Sequence, residues 1–164
     1  LPPYPTGLAS GPVSVLTPGE AAFEWTDEAF TKPDQENLVI YELLVRDFSE
    51  ERTFKFIEDS LDYLQNLGVQ ALELMPVNEF NGNDSWGYNP TFYFAVDKAY
   101  GTKNDRKSLV NACHERGSAV ILDMGYNHAD QPNPFITRYW ASSSVTSKGS
   151  STPSSLMRLP STTV

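Results

Sequence analysis

Cysteine is nearly absent: Cys113 stands alone in 164 residues, which excludes an internal disulfide framework and any cysteine-clustered zinc site. A small hydrophobe inside a helix is the reading it supports. Positive charge is scarce too. Twelve Lys and Arg against 21 Asp and Glu leave a net charge of −9. Binding through phosphates draws its affinity from Lys and Arg that release counterions, so no nucleic-acid partner is expected. No apolar run approaches the roughly 20 residues that span a bilayer, and Leu1-Pro2-Pro3 opens neither a basic nor an apolar leader region, so no membrane partner is expected. The lack of an initiating Met suggests a processed product or an excised piece. After Asp130 no Asp or Glu occurs again, and from Ala141 the text is rich in Ser and Thr. Such a stretch holds too little apolar content to order itself, as a disordered tail or the product of a reading-frame change.

What is present is enough for one core: 40% of the residues are hydrophobic, and the length suits one domain. From Leu1 to about Glu36, isolated apolar residues such as Phe23, Trp25 and Phe30 show no sustained periodicity, which reads as an extended lead-in. Leu38 to Val45 is almost continuously apolar, as in a parallel strand covered on both faces. Phe54, Ile57, Leu61 and Leu64 recur at helical spacing, with Gly68 where the helix would stop. Ala71 to Pro76 reads as a second short buried strand ended by proline. A long loop from Val77 to Asn104 precedes a second helix, capped by Asp105 and stopping at Gly117. Ala119 to Leu122 is a third strand, running into Asp123-Met124-Gly125-Tyr126-Asn127-His128. Strands alternating with helices predict an α/β architecture with a parallel sheet.

Such sheets carry their sites at the C-terminal ends of the strands. Those ends supply Arg46 and Asp47, then Asn78 and Glu79, then Asp123, Asn127 and His128. Carboxylates without cysteines or a Gly-rich phosphate loop, and with many aromatics, suit a neutral polyhydroxylated ligand. In Trp86-Gly87-Tyr88-Asn89-Pro90 two large aromatics flank a glycine; they either stack on a sugar or plug the loop onto the sheet. Asp123, Asn127 and His128 are spaced to surround one ligand, and an Asn carbonyl suits calcium. Glu42 and Glu73 lie within strands, where an unpaired charge is costly, so pairing with basic residues such as Arg46 is expected. His114 reads as an exposed or capping residue near its helix end.

Leu38 to Phe48, Trp86 to Thr102 and Ala119 to His128 closely resemble the alpha-amylase family, glycoside hydrolase family 13. The resemblance covers about Leu38 to Asp130 and rests on three stretches in the family's order: Gly87-Tyr88-Asn89-Pro90, Val96-Asp97 with Tyr100-Gly101-Thr102, and Asp123 with Asn127-His128. It implies an incomplete (β/α)8 TIM-type barrel of about three parallel βα units. The lead-in or linker would be 1–36, the partial barrel 37–140, and an irregular Ser/Thr-rich tail 141–164. Tyr88 would stack under the sugar at the cleavage point, with Trp86 extending the platform. Asp123 and His128 would hydrogen-bond that sugar, and Asn127 would match a calcium ligand.

The family's nucleophile, general acid and third carboxylate belong to the fourth, fifth and seventh strands, and none of those motifs occurs here. Retaining hydrolysis needs two carboxyl groups about 5–5.5 Å apart; the rim carboxylates open to test are Asp123, Asp47 and Glu79. A complete barrel takes ~250 residues, so a three-stranded piece exposes its edges and is expected to self-associate as a homo-oligomer. The expected function is a fragment or truncated form of an enzyme acting on α-1,4-glucosidic bonds, with an α-glucan or maltooligosaccharide as ligand. The alternatives are a non-catalytic α-glucan-binding module and an inactive structural remnant.

Overall fold

A computed structural model of the chain describes residues 18–131, 133–136 and 157–158. After a 3-10 turn at Gln35–Asn37, whose N-terminus is capped by the Asp34 side chain, the first strand β1 spans Ile40–Leu43. It is shorter than its apolar run predicts because Val45–Phe48 turns into a one-turn helix, α1. The predicted first helix is two: α2, Phe54–Asp59, and α3, Leu61–Asn66. The break falls at Ser60, whose hydroxyl donates 2.8 Å back to the Phe56 carbonyl, the local bond by which serine bends helices. Gly68 follows at φ +81°, where a residue without Cβ ends a helix at little cost. Strand β2 is Ala71–Leu74.

The stretch predicted as one long loop holds an antiparallel hairpin, β3 (Asn78–Phe80) against β4 (Pro90–Val96). A three-residue strand interrupted by register shifts leaves no period-2 signal, and Pro90 is tolerated as the first residue of its strand. Helix α4, Lys103–Glu115, is capped by Thr102 rather than Asp105. Asp105 sits at the third helical position and accepts the Thr102 backbone N–H at 2.7 Å, while the Thr102 hydroxyl accepts the Asp105 N–H at 3.0 Å. This reciprocal box satisfies two otherwise orphaned donors. Strand β5 is Ala119–Leu122. A last pair, β6 (His128–Ala129) and β7 (Met157–Arg158), is antiparallel. The rest of the Ser/Thr-rich tail lies outside the described residues.

The three strands β1, β2 and β5 form one parallel sheet in that order. Side chains alternate across it. Leu43, Leu72 and Leu74, joined by Tyr41 and Val120, face the helices and meet Phe54, Ile57, Leu109 and Cys113 in the core. Burial pushes the Cys113 thiol up to about 12, so it is the inert core residue that the sequence indicates. The opposite face carries Ile40, Glu42 and Glu73 in register. Ile40 is 47% exposed, so β1 is not covered on both faces as its apolar run predicts.

The described part of the lead-in, residues 18–36, is docked onto α4. Thr26 donates its N–H to Asn111 at 2.8 Å, Lys103 meets Glu20, and His114 on α4 contacts Asp27 and stacks on Phe30 with centroids 4.0 Å apart. His114 therefore anchors the lead-in instead of capping its helix.

Candidate functional site

Asp123 follows β5 directly and donates its N–H to the Leu74 carbonyl at 2.9 Å, which continues the sheet by one residue. Two positions beyond Ile121, it falls on the face that carries Glu73 and Glu42. Tyr88 reaches over from the loop between β3 and β4 and donates its hydroxyl to the Asp123 carboxylate. That hydrogen bond is the main reason the phenol is pushed up to about 12; burial and the charges of Asp123, Glu42 and Glu73 push the same way. Tyr88 thus stays a neutral donor throughout the physiological range.

The acids inside the strands do not pair as expected. Arg46 is committed to Asp47, at 2.7 and 3.0 Å, and to Asp84 at 2.7 Å, and no ion pair reaches Glu42 or Glu73 among the described residues. Both stand close enough to Tyr88 to act on its phenol, on the open face of the sheet.

The loop is set by glycines and short polar links. Gly87 has φ +88°, and a Cβ there would lie 2.5 Å from the Pro76 carbonyl oxygen. Gly125 lets Tyr88 approach: its missing Cβ would stand 3.3 Å from the tyrosine ring. The Ser85 hydroxyl accepts the Gly87 N–H at 3.0 Å and donates to the Asn89 side-chain oxygen. The Asn89 amide donates 3.4 Å to Asp130, whose own N–H donates 3.0 Å to the Pro90 carbonyl. Trp86, two residues before Tyr88, is 62% exposed.

The remaining predicted residues are dispersed. The His128 ring meets the Asn127 side-chain oxygen at 2.9 Å, and its carbonyl accepts the Tyr93 hydroxyl at 2.5 Å; it forms no hydrogen bond to Tyr88 or Asp123. Asn127 is exposed, and among the described residues no group of three or more His, Cys, Asp and Glu is placed to hold a metal. Glu79 is held by Lys98, whose ammonium lies 2.6 Å and backbone N–H 2.9 Å from the two carboxylate oxygens. Asp47 is held by Arg46, whose hydrogen bond lowers its pKa. Each of the three rim carboxylates therefore has a partner within the chain.

Asp97 is a residue whose role the sequence reading passed over. It is fully buried, and desolvation pushes its carboxyl up to about 6. Its oxygens accept the Ala99 N–H at 2.9 Å and the Phe80 N–H at 3.4 Å, tying β4 back onto β3. The bond to the residue two places on is an Asx-turn, and an Asp between an aromatic strand and Tyr100-Gly101 was the available signal.

Parallel strands joined by helices, with an aromatic loop meeting a carboxylate above their C-terminal ends, define an α/β protein with a candidate site at the strand ends. Residues 29–150 match the alpha amylase catalytic domain, and the chain belongs to the alpha-amylase family, as a partial barrel. It is 42% identical over 116 residues to the malto-oligosyltrehalose trehalohydrolase of Saccharolobus solfataricus, covering 71% of this chain and 21% of that protein. Its fold matches the crystal structure of an alpha-amylase from Lactobacillus plantarum with a TM-score of 0.60 at 31% identity, over 64% of this chain and 26% of the other. It also matches the Group B Streptococcus pullulanase in complex with maltotetraose, with a TM-score of 0.53 at 32% identity, over 61% and 17%. The chain spans about a fifth of the length of the curated relatives it matches.

Proposed function

We propose that this chain is the sugar-gripping part of an α-glucan-acting glycoside hydrolase and holds a maltooligosaccharide without cutting it. The observation that carries the reading is the Tyr88–Asp123 hydrogen bond, which brings an aromatic ring and a carboxylate from separate segments onto one strand-end surface. The ring offers a face to sugar C–H groups and the carboxylate an acceptor to a hydroxyl. Trp86 extends the platform and His128 lies further along the rim. The partnered state of Asp47 and Glu79 favours holding over cleavage, because general acid and nucleophile must each be free to act on the bond. Cleavage then belongs to carboxylates outside this chain, in a longer enzyme of which it is a fragment. Asn127, whose side-chain oxygen meets the His128 ring, is the residue of this chain that would hold calcium in such an assembly.

Titration of the chain with maltotetraose, with reducing-end release assayed in parallel, tests this. Binding that Tyr88→Ala abolishes, with no release, is expected; release by the wild-type chain, or binding indifferent to Tyr88→Ala, rejects the reading. We further propose that the edges of β1 and β5, which pair with no further strand among the described residues, drive association of copies, which light scattering decides by showing an oligomer or a monomer.

A further inference from the structure

We propose that Asn89 and Asp130 form a clasp that holds Tyr88 in contact with Asp123, so that the two are positioning residues for the sugar-binding pair. The inference rests on the reading of Tyr88 and Asp123 as sugar contacts. Tyr88 belongs to a loop and Asp123 to a strand end, 35 positions apart. Something must fix the height of the one over the other, since few apolar contacts restrain such a loop. Gly87 fixes its near end by packing on Pro76. On the far side of Tyr88 the restraint is the neighbouring residue, Asn89.

The chemistry of that restraint is specific. Asn89 uses both ends of its amide: the oxygen accepts the Ser85 hydroxyl across the loop, and the nitrogen donates to Asp130 in the segment beyond β5. Asp130 is itself immobilised, because its second oxygen accepts the Gln131 N–H at 2.8 Å, its carbonyl accepts the Asn133 N–H at 2.9 Å, and its N–H reaches the Pro90 carbonyl. The Asp123 to Asp130 segment is thus joined to the Tyr88 loop at two points, Tyr88 on Asp123 and Asn89 on Asp130. Both side chains are half-buried, where a link that involves a charged acceptor is stronger than in open water.

An isosteric exchange isolates the clasp. Asn89→Asp keeps the oxygen that accepts Ser85 and replaces only the donor that faces Asp130, setting two carboxylates against each other. Asp130→Asn keeps a single oxygen, which can accept from Gln131 or from Asn89 but not from both. The double variant restores a donor and an acceptor with the roles exchanged. The full chain and its three variants are compared by maltotetraose titration and by amide exchange of residues 85–89. Asn89→Asp is expected to weaken binding on the order of tenfold, a coupling typical of residues in contact, and to speed exchange in the loop; Asp130→Asn does less, and the double variant recovers both. Loop exchange unchanged in Asn89→Asp, or a double variant no better than Asn89→Asp, overturns the clasp. If the wild-type chain does not bind maltotetraose, the glucan reading fails while the exchange rates still decide the clasp.

Discussion

Gly87 lies so close to Pro76 that the α-hydrogen of the glycine occupies the only space a side chain would need: a Cβ would stand 2.8 Å from the Pro76 Cβ as well as 2.5 Å from its carbonyl oxygen. Pro76 stands two residues past the end of the second strand of the parallel sheet, so the base of the aromatic loop is seated on the chain as it leaves the sheet. Neither contact atom belongs to a flexible side-chain tip.

Gly87→Ala should therefore lift the loop as well as destabilise the chain. The positive φ alone disfavours alanine, and with the clash the loss is about 2–4 kcal/mol. Denaturant unfolding measures it, and maltotetraose affinity should fall in the same variant. A cost near zero would mean that the loop is not seated on Pro76.

Asp97 makes stability depend on pH. Folding raises its pKa from the ordinary 3.8 to about 6 through burial, so between those values the folded chain keeps a proton that the unfolded chain has shed. Stability from this group is full below about pH 4 and is lost as pH rises through 6, by about 3 kcal/mol in all. Asp97→Asn removes the titration, so the stability difference between wild type and variant should change across pH 4–6 and stay flat above. Chemical unfolding at several pH values checks it; parallel curves for the two proteins would refute it.

Lys98 and Glu79 brace the same hairpin from outside, with side chains 26% and 16% exposed. Lys98→Met leaves the Glu79 carboxylate with a backbone N–H in place of a full ion pair and should cost about 1–2 kcal/mol, more than an exposed pair would. Adding Glu79→Gln should return part of that loss, because the stranded charge is then gone. A double-mutant cycle by thermal unfolding measures both steps.

Much of the sheet was legible because its signals are local. Each of the runs Ile40–Leu43, Ala71–Leu74 and Ala119–Leu122 is short, apolar and bounded by a turn or helix, and the parallel order follows from the helices between them. That Tyr88 and Asp123 share one rim was expected through the resemblance alone, since no local spacing relates residues so far apart; their direct hydrogen bond was not. The β3–β4 hairpin escaped because its registry is broken twice in three residues. The partners of Arg46 escaped for another reason. Asp84 lies 38 positions away on a loop whose path depends on Gly82 and Gly87 at positive φ, and no composition rule reports where such a loop returns.

The docking of Glu20, Thr26, Asp27 and Phe30 onto α4 redraws where this polypeptide can be trimmed. A truncation at residue 36, the boundary that composition suggests, would strip polar and aromatic partners from the outer side of a helix whose other side is buried in the core. The smallest piece to express thus begins before Glu20, ahead of the first regular element among the described residues.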